Sequence, residues 1–257
     1  MKTKGLLLMA LILSFATCAT AAKRKDGNGN MVTKEISVKE FTSIVVDDKI
    51  SYEGKSFRNL FGNKTSTPTF TYKQTTGNAS LQVTIDENLF DLLLVEQNGT
   101  RIRITTKDKS KINPSQLTFE GSSKTLNGLE INGVLNFYAK ETVKSSELNL
   151  KLTGVGNIHF EALDCDNLDC LLTGVGGINL GGNARKATYK MTGVGDIKAY
   201  DLDAKTLHAT LTGVGSMQVY ASETLDASLT GVGDIRYKGN ATVNGSASGM
   251  GKIKKAD

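Results

Sequence analysis

Several residue types that functional sites often require are scarce in this sequence. The 257 residues include no tryptophan, two histidines and three cysteines. The 31 basic residues outnumber the 26 acidic ones but are scattered, without the basic patch typical of nucleic-acid binding. His159 and His208 lie far apart, which argues against a paired-histidine catalytic site. The composition thus argues against nucleic acid as a partner.

Long hydrophobic runs are also scarce. One apolar run covers residues 5–16, follows Lys2 and Lys4, and precedes the small residues 19–21. This order is typical of a secretory signal peptide, and the run is too short to span a bilayer permanently. We assign 1–22 to the signal and the polar, glycine-rich 23–33 to a flexible leader. The sequence predicts an exported protein, in the periplasm or at the outer membrane and cell surface.

Cys18 leaves two processing routes open. Residues 15–18 form an imperfect version of a bacterial lipoprotein box, with Thr17 where a smaller residue is usual. Lipid on Cys18 would anchor the chain to a membrane, whereas cleavage near Ala21 or Ala22 would release it. Contact with a membrane is expected only through such an anchor.

One short phrase dominates the C-terminal half. Thr-Gly-Val-Gly, or Ser-Gly-Met-Gly in the last copy, occurs six times. The copies begin at Thr153, Thr173, Thr192, Thr212, Thr230 and Ser248. Their spacings lie between 18 and 20 residues, and a period near 20 is the mark of a stacked-repeat architecture.

Apolar residues form five columns when the copies are aligned on the hydroxyl residue. In the third copy these columns hold Ala187, Tyr189, Met191, Val194 and Ile197. Polar residues alternate with them, which predicts strands with one buried face, so we place the columns in the interior. The glycines that flank the valine column are expected at the corners of each coil.

These patterns predict an all-β fold, a parallel β-solenoid that winds as a right-handed single-stranded β-helix with coils of about 20 residues. The regular solenoid is assigned to 146–257. Length differences between copies fall in one part of the coil, which predicts surface loops there. The loops are expected at 161–167, 181–186, 200–206, 221–224 and 238–242.

The N-terminal half, 34–145, lacks the phrase and is predicted to be irregular β structure with a cap. Ile131 to Phe137 resembles a degenerate first copy, with Asn132 in the place of the threonine. Residues 86–95 fit either a short helix or a turn that enters a strand. Residues 54–69 are interpreted as a loop over the cap that could offer a partner surface.

The repeats resemble those of a known family. The Thr-Gly-Val-Gly-Asp-Ile units at 192–197 and 230–235 are similar to phrases of the family named "putative auto-transporter adhesin, head GIN domain", which is common in exported proteins of Bacteroidetes. Segments 40–46, 86–90 and 98–104 are also similar to it. The resemblance spans about residues 34–255 and implies a β-solenoid-like fold in the cell envelope, with no catalytic residues to carry over. Gly177, Ser216 and Lys252 depart from the usual acidic or amide residue.

No cofactor or metal site is predicted. The acid and amide column of Asn157, Asp196 and Asp234 is interrupted in the other coils, so turn-capping hydrogen bonds explain it better than calcium. Cys165 and Cys170 are five apart without a nearby histidine, which leaves a buried thiol pair or a disulfide open. The glycine phrases lack the helix that a phosphate-binding loop requires.

Two function classes remain. An adhesin-like binding or scaffold module without catalytic activity would use a straight polar face, for which the candidate residues are His159, Asn179, Lys198, Gln218 and Arg236. We call this set the predicted binding face; a glycan or an envelope or host protein would be its partner. The alternative is a carbohydrate-active enzyme, a pectinase-like polysaccharide lyase or hydrolase on a parallel β-helix. Its candidate acids are Asp164, Asp166, Asp169, Asp201 and Asp203.

Overall fold

The computed structural model describes residues 24–47, 67–107 and 110–256. The predicted signal, Cys18 and most of the 54–69 segment lie outside these residues. The N-terminal elements are β1 (Lys25–Asp26), β2 (Met31–Glu35), β3 (Ser43–Val46), β4 (Thr69–Gln74), β5 (Ser80–Asp86), α1 (Glu87–Phe90), β6 (Leu93–Asn98), β7 (Arg101–Thr106), β8 (Ile112–Asn113), β9 (Leu117–Ser123) and β10 (Gly128–Ile131). The solenoid elements are β11 (Asn136–Leu152), β12 (Val155–Leu172), β13 (Val175–Met191), β14 (Val194–Leu211), β15 (Val214–Leu229), β16 (Ile235–Lys238), β17 (Thr242–Ala247) and β18 (Ile253–Lys255).

The C-terminal half is a stack of parallel coils. Strands β11 to β15 each pair in parallel with the next, so that equal positions of the repeat lie opposite one another. Ile158, for example, lies opposite Ile178, which lies opposite Ile197. Because one coil cannot bury its own apolar edge, the side chains of neighbouring coils complete a continuous core. The predicted parallel β-solenoid is confirmed; its handedness stays a prediction.

The prediction of surface loops within the coils is wrong. Four of the five segments are extended and remain inside long strands; for example, residues 161–167 belong to β12. Differences in length appear as register shifts, such as those between Phe160 and Leu163 and between Ala199 and Asp203. A β-bulge accommodates one or more extra residues without ending the pairing, and it bends the strand as a coil requires. In the fifth segment, only residues 239–241 lie outside strands, between β16 and β17.

The N-terminal half caps the stack with mixed pairing. β10, β3 and β7 continue one side of the coil below β11 in parallel, while β4 and β9 continue another side. The cap then turns antiparallel, since β6 pairs with β7 and β5 pairs with both β2 and β9. Antiparallel strands at the end interrupt the parallel stacking pattern, a device that keeps solenoid ends from pairing with other molecules.

Two predictions from the sequence are decided by the structure of the N-terminal half. Residues 87–90 form the short helix α1, and β6 follows it. The degenerate first copy is confirmed, because Ile131 lies opposite Leu152 and Val134 lies opposite Val155. At the junction, the rings of Phe119, Phe70, Phe137 and Phe160 form a ladder whose successive centroids lie 5.8, 5.6 and 5.4 Å apart.

The predicted flexible leader, 23–33, contains strand β1 and the first three residues of β2. β1 pairs in parallel with β8, and β2 pairs antiparallel with β5. Between them the buried carboxylate of Asp86 accepts hydrogen bonds from the backbone N–H groups of Gly29 and Ser115, both at 2.7 Å. The leader is therefore hydrogen-bonded to the cap from Lys25 onwards, and its mobility in solution stays a prediction.

Candidate functional site

The valine column is not part of the core, which corrects the sequence-based placement. Val175, Val194, Val214 and Val232 are 44–51% exposed, and Met250 is 77% exposed. The other four apolar columns are buried in the first five copies, whereas in the last copy Val243 and Ile253 are only partly buried and Ala247 is exposed. The threonine that precedes each valine by two positions is exposed as well. The hydroxyl and the valine side chains thus form two parallel rows on the outside of one corner.

These rows border a groove of about 740 Å³ that crosses successive coils. Fifteen residues line it: Thr173, Gly174, Val175, Thr192, Gly193, Val194, Thr212, Gly213, Val214, Thr230, Gly231, Val232, Ser248, Gly249 and Met250. We call it the threonine–valine groove. None of its lining residues is ionisable, so the groove offers a hydroxyl row, an apolar row and a glycine floor.

The glycine floor follows from the close approach of neighbouring coils. A Cβ on Gly174 would overlap the carbonyl oxygen of Gly154 in the coil below. The backbone N–H groups of Thr173 and Gly174 both donate to the Leu152 carbonyl, at 2.9 and 3.0 Å. Because the corner N–H groups already have partners within the stack, the position of both rows is fixed by the backbone.

The predicted binding face exists as a straight ladder. His159 lies opposite Asn179, and the register continues through Lys198 and Gln218 to Arg236. All five side chains are at least partly exposed. The ladder continues one coil earlier through Tyr138, which lies opposite Thr71, and reaches Lys254 one coil later. Its role in binding stays a prediction.

The interrupted acid and amide column joins coils to one another. Asn136 Oδ1 accepts the backbone N–H of Asn157 at 3.0 Å, and Asp196 Oδ1 accepts that of Ser216 at 3.0 Å. Asp234 Oδ1 accepts the backbone N–H of Lys252 at 3.1 Å. The hydrogen bond from Lys254 is the main reason that the pKa of Asp234 is lowered, and the Lys252 backbone N–H adds to it. These hydrogen bonds link neighbouring coils and do not cap a turn within one coil, so they differ from the turn-capping interpretation.

The acids of the enzyme alternative do not converge on one point. Asp164 and Asp203 share a ladder but are separated by the coil that carries Asn183. Because neighbouring coils lie about 4.8 Å apart, the backbones at Asp164 and Asp203 are about 10 Å apart. Asp169 belongs to another ladder, opposite Thr188, and Asp201 lies opposite Gly181.

Two of these acids form ion pairs on the surface. Asp164 pairs with Lys144 at 3.3 Å, and Asp166 pairs with Arg185 at 3.5 Å. Each of these two carboxylates therefore lies beside a cation at the surface.

A charged cleft in the cap was missed at the sequence level. It measures about 480 Å³ and is lined by Val45, Glu96, Asn98, Arg101, Arg103, Glu130 and Asn132. Glu130 pairs with Arg101 at 3.0 Å and with Lys151 at 2.9 Å. Burial alone would raise the pKa of Glu130, but hydrogen bonds from Lys151 and Asn132, with the Lys151 and Arg101 charges, lower it overall. In the sequence, the alternation of Arg101 and Arg103 with isoleucines indicates that both arginines lie on the exposed face of a strand. The acidic residues that they meet are distant in sequence, so the cleft itself could not be predicted.

Cys165 and Cys170 are buried and form no disulfide. Burial is the main cause that raises the pKa of Cys165 to about 11 and that of Cys170 well above its ordinary value. Within the described ranges no group of three or more His, Cys, Asp or Glu side chains is arranged to hold a metal ion. Over the same ranges, no helix is long and apolar enough to cross a membrane.

Solved structures similar to this chain come from Bacteroides and Parabacteroides. A "putative adhesin" from Bacteroides fragilis is 28% identical, with a TM-score of 0.80 over 90% of this chain and 100% of that one. A "putative adhesin" from Parabacteroides merdae is 27% identical, with a TM-score of 0.67 over 92% of this chain and 100% of that one. A "Putative lipid binding protein" from Parabacteroides distasonis is 28% identical, with a TM-score of 0.66 over 91% of this chain and 100% of that one.

No curated protein matches the chain. A family model does match it, over residues 67–241, which include most of the cap and nearly all the regular coils. The matched range contains five of the six repeat phrases and all five residues of the predicted binding face. The chain therefore belongs to the family described as "Putative auto-transporter adhesin, head GIN domain".

Proposed function

We propose that this protein is an exported β-solenoid of the cell envelope that acts as a binding or scaffold module and has no catalytic activity. Membership of a family described as auto-transporter adhesin supports an exported or surface protein. Two of the similar solved structures are described as adhesins. The sequence pattern of residues 1–22 supports export, and Cys18 is the candidate site of a lipid anchor.

The observation that carries this proposal is that equal outward positions of successive coils lie opposite one another. In the predicted binding face, the parallel register aligns five consecutive coils from His159 to Arg236. Parallel coils lie about 4.8 Å apart, so five of them present a nearly straight row about 19 Å long. Rigid repetitive surfaces of this type suit extended partners, because the surface loses little conformational freedom on binding.

Charge gives the predicted binding face a testable preference. Lys198 and Arg236 add positive charge, and Lys254 extends it at the C-terminal end. Arg236 and Lys254 pair with the carboxylate of Asp234 at 3.2 and 3.1 Å. A partner that contacts this face through anionic groups would gain from the cations, with a dependence on salt concentration.

The test is a quantitative binding measurement with isolated cell envelopes. The double variant Lys198→Glu/Arg236→Glu reverses the charge of the predicted binding face. The control variant Lys186→Glu/Lys205→Glu makes the same change in charge at exposed positions outside that face. We expect the first variant to lose envelope binding and the second to keep it. Equal binding by both variants and the unchanged protein would show that the predicted binding face does not bind the envelope.

Localisation requires a separate measurement. Protease treatment of intact and lysed cells would compare the accessibility of the solenoid, and mass spectrometry of the mature N-terminus would detect lipid on Cys18. Digestion on intact cells is expected for a surface adhesin. Protection until lysis would instead favour a periplasmic scaffold.

A further inference from the structure

We propose that the threonine–valine groove binds a neutral, unbranched glycan chain that lies along the solenoid axis. This inference rests on the proposed binding function and assigns it a second surface and a chemical class of ligand. The groove lies at the corner before the predicted binding face in each coil, so the two surfaces can be altered independently. Val175 and Asn179, for example, belong to the same coil but to different columns.

The dimensions of the groove fit a chain rather than a compact molecule. Its lining repeats over five copies, from Thr173 to Ser248. Four coil spacings of about 4.8 Å give a length of about 19 Å. Every step offers the same pair of side chains, with Ser248 and Met250 replacing them in the last copy. A ligand built of similar units can repeat one set of contacts along such a track.

The hydroxyl groups of the threonine row can form further hydrogen bonds with a ligand. Thr192 Oγ1 lies 3.5 Å from Thr173 Oγ1, and Thr230 Oγ1 lies 3.4 Å from Thr212 Oγ1. Hydrogen bonds between hydroxyl groups are normally about 2.5–3.0 Å long, so these contacts are weak. Each hydroxyl can donate once and accept twice, and a ligand that carries its own hydroxyls can use both roles.

The valine row requires that the same ligand also has an apolar surface. The four valines from Val175 to Val232 leave about half of each side chain in contact with solvent. Covering exposed apolar area is worth about 25 cal/mol per Å². Sugar rings fit both rows, because they carry hydroxyls at their edges and C–H groups on their faces. Since the lining has no ionisable residue, an uncharged chain suits it better than an acidic one, whose charge would lose hydration without gaining a partner.

Two other extended ligands fit less well. An acyl chain would cover the valine row but leave the hydroxyl row without polar partners, and its outer side would remain in water because the groove is open. An extended peptide requires backbone partners, yet the corner N–H groups of Thr173, Gly174 and Val175 already donate to the coil below. A glycan satisfies both rows and tolerates water on its outer side.

The experiment measures binding to defined soluble probes. These are pullulan and cello-, manno- and fully N-acetylated chito-oligosaccharides as neutral chains, oligogalacturonate as an acidic chain, and phosphatidylcholine vesicles. Val175→Lys/Val214→Lys places charge in the groove. Thr192→Val/Thr230→Val removes two hydroxyls and preserves side-chain shape. The matched control, Asn183→Lys/Thr224→Lys, adds the same charge to the same two coils at exposed positions outside both the groove and the predicted binding face. Thermal denaturation checks that each variant is folded.

We expect at least one neutral chain to bind, and each groove variant to weaken its binding by about tenfold or more, which corresponds to about 1.4 kcal/mol. The control should bind within about twofold of the unchanged protein. The inference is overturned if no neutral chain binds, if the control loses as much as the groove variants, or if oligogalacturonate or vesicles bind the groove instead. In each of these cases the envelope-binding test with the Lys198 and Arg236 variant still decides the proposed function separately.

Discussion

Gly195 provides the sharpest test of how the coils stack. Its φ angle is +146°, in the region that residues with side chains rarely adopt, and a Cβ there would overlap the carbonyl oxygen of Gly176 in the coil below. Holding an alanine at such an angle costs about 1–3 kcal/mol. Displacing the neighbouring backbone costs about a further 1–3 kcal/mol, as at other overpacked sites. We therefore expect Gly195→Ala to lower the free energy of unfolding by about 2–6 kcal/mol.

Gly177 is the matched control for this substitution. It lies opposite Asp196, in the column that holds Asn157 and Ser216 in other coils, and its φ is not positive. A Cβ on Gly177 would approach the side-chain oxygen of Asn157 at 3.1 Å, which a small side-chain movement relieves. Because alanine also restricts the unfolded chain, Gly177→Ala should change stability by less than about 1 kcal/mol.

The assay is guanidinium denaturation followed by circular dichroism, with the two variants and the unchanged protein measured together. Domain stabilities are about 5–15 kcal/mol, so the loss expected for Gly195→Ala gives a clear shift of the midpoint. Repeat arrays can unfold in steps, and the slopes should therefore be compared as well as the midpoints. Coincident curves for Gly195→Ala and Gly177→Ala would refute the proposed contact between corner backbones.

Three further predictions follow from buried or charged groups. Asp86→Ala should destabilise the protein by about 2–4 kcal/mol in denaturant titrations, because it removes a buried carboxylate that accepts hydrogen bonds from two backbone N–H groups; a loss no larger than that of Asp86→Asn would contradict this role. Cys165 and Cys170 should resist a thiol reagent at pH 8 until the protein is unfolded, since burial raises the pKa of both thiols; rapid labelling of the native protein would be the opposite result. Glu130→Gln should destabilise by no more than about 1 kcal/mol at pH 7, since the ion pairs of this carboxylate are partly exposed. The folded pKa of Glu130 is lowered, so its contribution is present above the ordinary value of 4.5 and is lost as the pH falls through the folded pKa; a difference that persists unchanged at low pH would contradict the ion-pair role.

The regular half of the fold could be predicted because the repeat carries its own register. Once Thr173 is aligned with Thr192, the pairings from Val175 to Asn179 follow, including that of the predicted binding face, and the register shifts by one residue after Asn179. The position of the valine column could not be predicted by the same reasoning. Val194 interrupts the alternation between two glycines, where the chain turns, and an apolar residue at a turn can face either way. Its exposure depends on the backbone path at Gly193 and Gly195.

The strand pairing of the cap could not be predicted from the repeats, for a different reason. Its pairings join segments that are distant in sequence, such as β2 with β5 and β5 with β9. Nothing local specifies that Glu130 should meet Arg101 and Lys151, so the charged cleft has no signature along the chain. The predicted loops were wrong because a bulge and a loop both appear in a sequence as a variable length between fixed columns.

The most direct test of the account separates binding from turnover. The purified protein should be incubated with the neutral oligosaccharides and, in parallel, with oligogalacturonate, and the retained fraction and the released products should be measured in each sample. The account predicts retention of a neutral chain and cleavage of none of the chains, unchanged in the Asp164→Asn/Asp166→Asn variant. Release of shortened or unsaturated products that stops in this variant would contradict it and establish the carbohydrate-active alternative.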